Sequence, residues 1–306
     1  MLRITFLGTA ASRPTVGRNV SAVLVNRAGH LMLFDCGEGT QRQMMRYGTG
    51  FGVREIFFSH LHADHFLGVI GLLRTMALQG REDPISLLAP VGGRATLEQA
   101  VNLGVERIPF PIEIVELEPE TRLVRSDYDV LAYPTKHGGG SLGFAIVEHQ
   151  RLGRFDPVKA KALGVPEGHL FGRLHRGEPV EIDGRTISPE EVVGPPRPGR
   201  TVVYTGDTRP CRRTVEVAAG ADLLIHDATF SDDERDRARA TYHSTAREAG
   251  RVARDAGVVQ LVLTHISARY AEDPRALERE ARRLFPATIV AYDGLEIEVP
   301  FRDTVQ

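Results

Sequence analysis

Three imidazoles and one carboxylate crowd into one short stretch of this sequence. The stretch 59–65 reads Ser-His-Leu-His-Ala-Asp-His, so His60, His62, Asp64 and His65 lie within six positions. Imidazole and carboxylate groups are the side chains that hold zinc and related divalent metals. A lone histidine is more often an ordinary core or surface residue, but four ligand-type side chains at this spacing favour a metal site.

Three further ligand candidates each follow a separate segment that is typical of a strand. His137 stands in Thr-Lys-His-Gly, Asp207 in Thr-Gly-Asp-Thr and His265 in Leu-Thr-His-Ile. We expect all seven groups to meet at strand ends on one edge of the sheet system, where α/β folds place their sites. Five histidines and two carboxylates suit zinc, with manganese or iron as alternatives. Two such metals can activate water and stabilise the attacking and leaving oxygens of a phosphoryl displacement.

The segments around these groups alternate between strand-like and helix-like patterns, which predicts an α/β fold. Strands are predicted at 3–7, 21–26, 30–35, 54–59, 86–89, 112–117, 130–133, 143–148, 201–205, 221–226, 259–264 and 295–300. Helices are predicted at 66–78, 94–103, 157–163, 244–256 and 274–284, and a short helix is expected to follow Gly37 and end near Met45.

The stretch 150–199 interrupts this alternation. It is rich in glycine and proline and offers only the helix at 157–163, so we interpret it as an insertion or arm on the main domain. Between residues 151 and 176 it carries six basic and two acidic residues, a local charge of +4. Such a patch can bind a phosphate backbone without reading sequence. The alternative is a solvated loop whose charges balance those of neighbouring acids.

Composition excludes several classes of protein. The chain has 306 residues with 42% hydrophobic and 25% charged residues, as in a globular protein that buries a sizeable core. Its net charge of −2 argues against a protein that is basic all over. Two cysteines are too few for a disulfide framework, and neither a signal-peptide pattern nor an apolar run of membrane-helix length is present. We therefore expect a soluble protein of the cytoplasm, without a membrane partner.

The ligand pattern resembles that of the metallo-β-lactamase superfamily, and the rest of the chain is similar to the ribonuclease Z family within it. The similarity extends from the N-terminal Phe-Leu-Gly-Thr to the last predicted strand. It is carried by Pro-Thr-Val-Gly-Arg-Asn at 14–19, Asp-Cys-Gly-Glu-Gly-Thr-Gln at 35–41, Lys-Ala-Lys-Ala-Leu-Gly-Val-Pro at 159–166, Gly-Asp-Thr-Arg-Pro at 206–210, His-Ser-Thr at 243–245 and Leu-Thr-His-Ile-Ser-Ala-Arg-Tyr at 263–270.

The resemblance implies a four-layer αββα sandwich, with residues 1–306 as one domain and 150–178 as a flexible, basic, tRNA-binding arm within it. It implies a homodimer with two Zn²⁺ per subunit, and no DNA partner is expected. The reaction would remove the 3′ trailer from precursor tRNA and leave a 3′-hydroxyl on the tRNA and a 5′-phosphate on the trailer. In the arm, the candidate RNA-binding residues are Arg154, Lys159, Lys161, Arg173 and Arg176.

By the same resemblance, His60, His62 and His137 would hold one zinc and Asp64, His65 and His265 the other. Asp207 would bridge the two metals. Asp64 would also accept a proton from the attacking water, because a carboxylate can ligate through one oxygen and accept a hydrogen bond at the other.

A proton donor for the leaving oxygen is implied by two further segments. The family carries His-Glu-Ala-Thr and His-Ser-Thr segments; here they read His-Asp-Ala-Thr at 226–229 and His-Ser-Thr at 243–245. Asp227 replaces the Glu of the pattern and is shorter by one methylene, which leaves its pairing with the candidate acid His243 open. The alternative for His243 is a structural residue beside a helix that Ser244 caps.

Two other functions remain open. One is hydrolysis of small phosphodiesters or thioesters, which needs no basic arm. The other is a catalytically inert RNA-binding protein that has kept the fold, although every ligand position is occupied.

Overall fold

A computed structural model of the chain describes residues 1–105 and 107–302. It divides into two compact units. The larger unit comprises residues 1–147 and 201–300. The smaller unit comprises residues 148–200 together with Phe301 and Arg302.

Strands β1 to β16 are, in chain order, Leu2–Gly8, Ala22–Arg27, His30–Phe34, Glu55–Phe57, Ile85–Pro90, Ile112–Leu117, Arg122–Val124, Tyr128–Pro134, Leu142–Glu148, Val180–Ile182, Arg185–Ile187, Thr201–Tyr204, Leu223–Asp227, Gln260–Thr264, Thr288–Val290 and Glu296–Glu298. Helices α1 to α10 are Thr40–Arg46, Ala63–Phe66, Gly68–Leu78, Arg94–Val101, Pro157–Ala162, His169–His175, Arg212–Val217, Arg235–Ala240, Ala246–Ala256 and Arg275–Arg282. Short 3₁₀ turns occupy Pro189–Glu191, Asp232–Glu234 and Ala268–Tyr270.

Two seven-stranded sheets form the larger unit. The first has the order β16-β1-β2-β3-β4-β5-β6, antiparallel through β3 and parallel from β3 to β6. The second has the order β15-β14-β13-β12-β9-β8-β7, in which β12 to β15 run parallel. Parallel strands need crossover connections, and helices supply several of them, as the alternating pattern of the sequence predicted.

Apolar side chains from both sheets pack against each other to form the central core. Phe34 of β3 and Phe144 of β9 lie with ring centroids 5.6 Å apart, and Phe57 of β4 lies 5.3 Å from Phe144. A second cluster packs α1, α3 and α4 onto the outer face of the first sheet, and a third packs α7, α9 and α10 onto the second. The arrangement confirms the four-layer αββα sandwich.

Two predicted helices begin two residues later than expected, for local reasons. The helix predicted at 66–78 starts at Gly68, after the separate turn α2. A Cβ on Gly68 would lie 1.9 Å from the carbonyl oxygen of Gly37, so the close approach of the two backbones requires glycine. The helix predicted from residue 244 starts at Ala246, and Thr245, not Ser244, is its N-cap.

The smaller unit has an apolar cluster of its own. It contains α5, α6 and the antiparallel hairpin β10–β11. Its buried apolar residues are Ala160, Val165, Leu174, Val180, Ile187 and Val192. The stretch 150–199, interpreted as an insertion, covers α5, α6 and the hairpin. The narrower arm range 150–178 leaves out the hairpin, because strands of three residues show too little periodicity to be recognised in the sequence.

Across residues 1–105 and 107–302, no helix combines the length and the apolar character needed to cross a lipid bilayer.

Candidate metal centre

The candidate metal ligands lie at the ends of strands or shortly after them. The carboxyl ends of β12, β13 and β14 meet at one edge of the second sheet because these strands are parallel. Asp207 follows β12, His265 directly follows β14, and His137 follows β8. The first sheet supplies the other four from the segment after β4: His60, His62, Asp64 and His65. The structure brings all seven predicted groups together.

His60, His62, His137 and Asp207 form a first group, in which the potential ligand atoms all lie within 4.8 Å of one another. Nδ1 of His62 is 2.9 Å from Nε2 of His60 and 3.3 Å from Nε2 of His137. Oδ2 of Asp207 is 3.7 Å from Nε2 of His60 and 3.8 Å from Nε2 of His137. His62 is exposed and the other three are buried, so the group is open on the side of His62.

Asp64, His65 and His265 form a second group, whose potential ligand atoms also lie within 4.8 Å of one another. Oδ2 of Asp64 lies 3.5 Å from Nε2 of His65 and 3.3 Å from Nε2 of His265. Asp207 borders this group too: its Oδ2 is 3.3 Å from Nε2 of His65 and its Oδ1 is 3.2 Å from Nε2 of His265. Asp207 therefore stands between the two groups.

Four of the five histidines are oriented by hydrogen bonds on the outside of the cluster. In each case the Nδ1–H group is the donor. His60 donates to Ser59 Oγ (3.0 Å) and His65 to Asp35 Oδ2 (2.8 Å). His137 donates to the Tyr242 carbonyl (3.0 Å) and His265 to Thr229 Oγ1 (2.8 Å). The two hydroxyls must be the acceptors in these pairs, because Ser59 donates its own proton to Asp35 and Thr229 donates its own to Asp227. In the neutral imidazole, each Nε2 is then the nitrogen without a proton, and it points inward, as a metal ligand requires.

Asp35 lies behind the ligand cluster, and we did not single it out from the sequence. Its buried carboxylate accepts hydrogen bonds from the Ser59 amide (2.7 Å), the Ser59 hydroxyl (2.8 Å), His65 Nδ1 (2.8 Å) and the Tyr204 hydroxyl (2.6 Å). It orients His65 directly and His60 through Ser59. The available signal was its place directly after a strand in the Asp-Cys-Gly-Glu-Gly motif.

The residues of the cluster fit a divalent cation. Nε2 of His65 and Oδ1 of Asp207 are buried and make no hydrogen bond of acceptable geometry within the described residues. Burial and the neighbouring charge of His65 hold the pKa of His60 well below its usual value. Burial would raise the pKa of Asp207, yet His265 and His65 hold it well below its usual range. Burial would lower the pKa of His65, but Asp207 and Asp35 hold it well above its usual value, so a metal bound at Nε2 of His65 would displace a proton.

His243 lies at the border of the cluster and is held by Asp227. Nδ1 of His243 is 2.9 Å from Oδ2 of Asp227, so the aspartate reaches the histidine despite its shorter side chain. Burial would lower the pKa of His243, but the Asp227 carboxylate raises it to about 9. The ring of His243 stacks on that of His265 at a centroid distance of 5.0 Å.

A further set of potential ligand atoms within 4.8 Å of one another belongs to Asp207, Asp227, His243 and His265. The oxygens of Asp227 are already engaged, however, because Oδ2 accepts from the Thr208 amide as well as from His243, and Oδ1 accepts twice from Thr229. Asp227 is therefore better placed to orient His243 than to ligate a metal.

The five basic residues predicted to bind RNA are all exposed on the smaller unit. Lys161 pairs with Glu167 at 2.6 Å, and Arg173 and Arg176 pair with Glu178 at 3.0 and 3.4 Å. Residues 148–200 contain nine basic and eight acidic residues, so the excess of positive charge at 151–176 is nearly balanced over the unit. Arg154 and Lys159 line a cavity of about 630 Å³ together with Arg197.

Comparison with known proteins identifies the family. The family described as "Metallo-beta-lactamase superfamily" matches residues 15–153, and "Beta-lactamase superfamily domain" matches residues 191–266. The protein named Ribonuclease Z from Gemmatimonas aurantiaca is 57% identical over 301 residues, covering 97% of this chain and 96% of that protein. Ribonuclease Z from Myxococcus xanthus is 54% identical over 305 residues and covers 99% of each chain.

A solved structure agrees with these relatives. The crystal structure of the short form of human tRNase Z superimposes with a TM-score of 0.72 at 29% sequence identity, covering 98% of this chain and 100% of that one. The two Ribonuclease Z relatives are more than half identical to this chain over nearly their whole length, so the chain belongs to the ribonuclease Z family of the metallo-β-lactamase superfamily.

Proposed function

We propose that this protein is an endoribonuclease that removes the 3′ trailer from precursor tRNA, leaving a 3′-hydroxyl on the tRNA and a 5′-phosphate on the trailer. The observation that carries the proposal is the pair of ligand groups with Asp207 between them, in a chain similar over almost its whole length to proteins named Ribonuclease Z. Paired metals suit the displacement of an oxygen from phosphorus.

We propose two Zn²⁺ per subunit, with Mn²⁺ or Fe²⁺ as alternatives. His60, His62 and His137 would hold one ion, Asp64, His65 and His265 the other, and Asp207 both. Bound there, the ions would polarise the phosphate group and neutralise the negative charge that develops on it.

Asp64 is positioned to accept a proton from the attacking water. Its Oδ2 accepts a hydrogen bond of 2.7 Å from the amide of Ser12, and Nε2 of His265 lies 3.3 Å away. Burial opposes ionisation, but His265 and the charge of His65 lower the pKa of Asp64 below its usual range. The carboxylate is therefore ionised and fixed in orientation, as an acceptor in this reaction must be.

His243 is positioned to give a proton to the departing oxygen. The water oxygen forms a bond to phosphorus, the bond from phosphorus to the 3′ oxygen breaks, Asp64 takes one proton and His243 supplies the other. The contact with Asp227 favours the protonated form of His243 from which that transfer starts.

The smaller unit would contact the body of the tRNA through Arg154, Lys159, Lys161, Arg173 and Arg176. The exposure of these side chains supports the proposal, and their partial pairing with Glu167 and Glu178 implies that phosphates compete with those acids. A homodimer and a location in the cytoplasm stay predictions; light scattering of the purified protein tests the first.

The test is a cleavage assay with metal-loaded protein and a 3′-extended precursor tRNA, in which the new ends are mapped. We expect one cut just after the acceptor stem, lost in Asp64→Ala while tRNA binding is kept. Asp236→Ala removes a fully exposed carboxylate and serves as the control that should cleave normally. An active Asp64→Ala enzyme would contradict the assigned role. No cut by wild-type protein that holds two metals would favour the hydrolysis of small phosphodiesters.

A further inference from the structure

Arg209 is a nearly buried cation that the reaction described above does not use. It stands two residues after Asp207, and its side chain is 13% exposed. Its guanidinium makes a two-pronged contact with Glu248: Nη1 donates to Oε2 at 2.7 Å and Nη2 to Oε1 at 2.5 Å. Nη1 also donates to the main-chain carbonyl of His243 at 2.6 Å. One side chain thus connects the loop after β12 to the residue proposed as the proton donor.

Glu248 extends this connection into helix α9. It occupies the third position of the helix, where its carboxylate accepts from the amide of Thr245 at 3.0 Å and its own amide donates to the Thr245 hydroxyl at 3.2 Å. This capping box fixes the backbone at the start of α9, directly after His243. Glu248 is buried, with 7% of its side chain exposed, and its charge is matched by Arg209.

The backbone of His243 is held on both sides as a result. Its amide donates to the carbonyl of Ala238 at 2.8 Å, and its carbonyl accepts from Arg209. The imidazole is tied separately to Asp227. The amide of Arg209 in turn donates to the carbonyl of Lys136 at 2.8 Å, next to the candidate ligand His137. Arg209 therefore fixes the position of His243 relative to the segments that carry Asp207 and His137.

We propose that Arg209, clamped by Glu248, is a positioning residue for proton donation to the leaving oxygen, an inference that rests on the function proposed above. The planar fork of arginine makes three hydrogen bonds at once, to two carboxylate oxygens and one carbonyl, which the single ammonium of lysine does not reproduce. A small displacement of a reacting group costs up to about 100-fold in rate. Arg209 touches neither substrate nor reacting atoms and acts only through His243.

The test is a double-mutant cycle on precursor tRNA under single-turnover conditions. We expect Arg209→Met to lower the cleavage rate about 10- to 100-fold, the cost of misplacing a reacting group, with little change in KM. In the His243→Ala background, Arg209→Met should cause no further loss, because both changes remove the same step. Arg209→Lys keeps a positive charge beside Glu248, so it remains informative if the methionine variant fails to fold.

A modified substrate separates positioning from general structural damage. Precursor tRNA with sulphur in place of the bridging 3′ oxygen has a leaving group that departs without a proton, so the defect of Arg209→Lys should shrink on it. Arg212→Met breaks the exposed pair of Arg212 with Glu216 and is the matched control, with wild-type rates on both substrates.

The outcomes are distinct. Equal losses in the wild-type and His243→Ala backgrounds, or equal losses on the oxygen and sulphur substrates, would overturn the positioning role and leave an ordinary ion pair that stabilises α9. Wild-type protein that cuts neither substrate would overturn the proposed function itself, and the inference with it.

Discussion

The buried carboxylate of Asp35 offers the sharpest test of how the candidate metal centre is built. Asp35→Asn changes one oxygen into an amide group and leaves the shape of the side chain almost unaltered. Oδ1 still accepts from the Ser59 amide, while the new amide nitrogen faces three former donors: the Ser59 hydroxyl, the Tyr204 hydroxyl and His65 Nδ1. Both hydroxyls can rotate and accept, but the imidazole N–H of His65 cannot. Only His65 is left without its partner.

The expected cost follows from that single loss. A hydrogen bond to a charged group is worth about 1.5–3 kcal/mol, so we expect the free energy of unfolding to fall by that amount. For a domain of this size the melting temperature should fall by about 3 to 12 °C. Loss of the partner that orients a ligating histidine lowers metal affinity about 10- to 100-fold.

The assay is a chelator competition that measures metal affinity, combined with thermal unfolding of the metal-loaded and metal-free protein. Asp293→Asn is the matched control. Asp293 accepts hydrogen bonds from the Thr9 hydroxyl (2.7 Å), the Asn19 amide (2.6 Å) and the Gln43 amide group (2.7 Å), and none of these belongs to the two ligand groups. The control should lose stability without losing affinity.

The refuting result is equally concrete. If Asp35→Asn binds metal as tightly as wild type while its melting temperature falls like that of Asp293→Asn, then Asp35 is a structural residue and His65 needs no outer partner.

Three further results are expected. Gly68→Ala should lower the melting temperature sharply, since its Cβ would lie 1.9 Å from the Gly37 carbonyl oxygen; wild-type stability would show that the backbones can separate. Replacing Arg154 and Lys159 by Glu should weaken binding of precursor tRNA and flatten its salt dependence, measured by filter binding, with unfolding unchanged. Thr245→Ala should cost about 1 kcal/mol in urea unfolding, because it removes the N-cap of α9; an unchanged midpoint would contradict that role.

The alternating pattern predicted an α/β fold, and the resemblance to the metallo-β-lactamase superfamily implied the αββα sandwich. Ligand type and strand-end position selected the seven residues that the structure brings together. His60, His62, Asp64 and His65 are recognisable because they are close in sequence and of ligand type. His137, Asp207 and His265 are recognisable because each follows a strand-like segment. Strand ends converge in this class of fold, so position relative to a strand carries spatial information even without contacts.

Other features depended on distances that the sequence does not record. Whether Asp227 contacts His243 depends on how β13 packs against the segment before α9. In the structure, Oδ2 of Asp227 lies 2.9 Å from Nδ1 of His243. The cap of α9 moved from Ser244 to Thr245 because the Ser244 hydroxyl donates to the Thr208 carbonyl, a residue 36 positions away.

The residues that orient the metal ligands and His243 also could not be predicted from the sequence. Asp35 meets His65 across 30 positions, and Arg209 meets Glu248 across 39, so no local pattern links them. A ligand type at a strand end can be recognised from one segment of chain, because the chemistry of the side chain and the period of the strand are local. The partner that orients a ligand is chosen by burial and by the packing of distant segments, and only the tertiary structure determines which buried acceptor each donor finds.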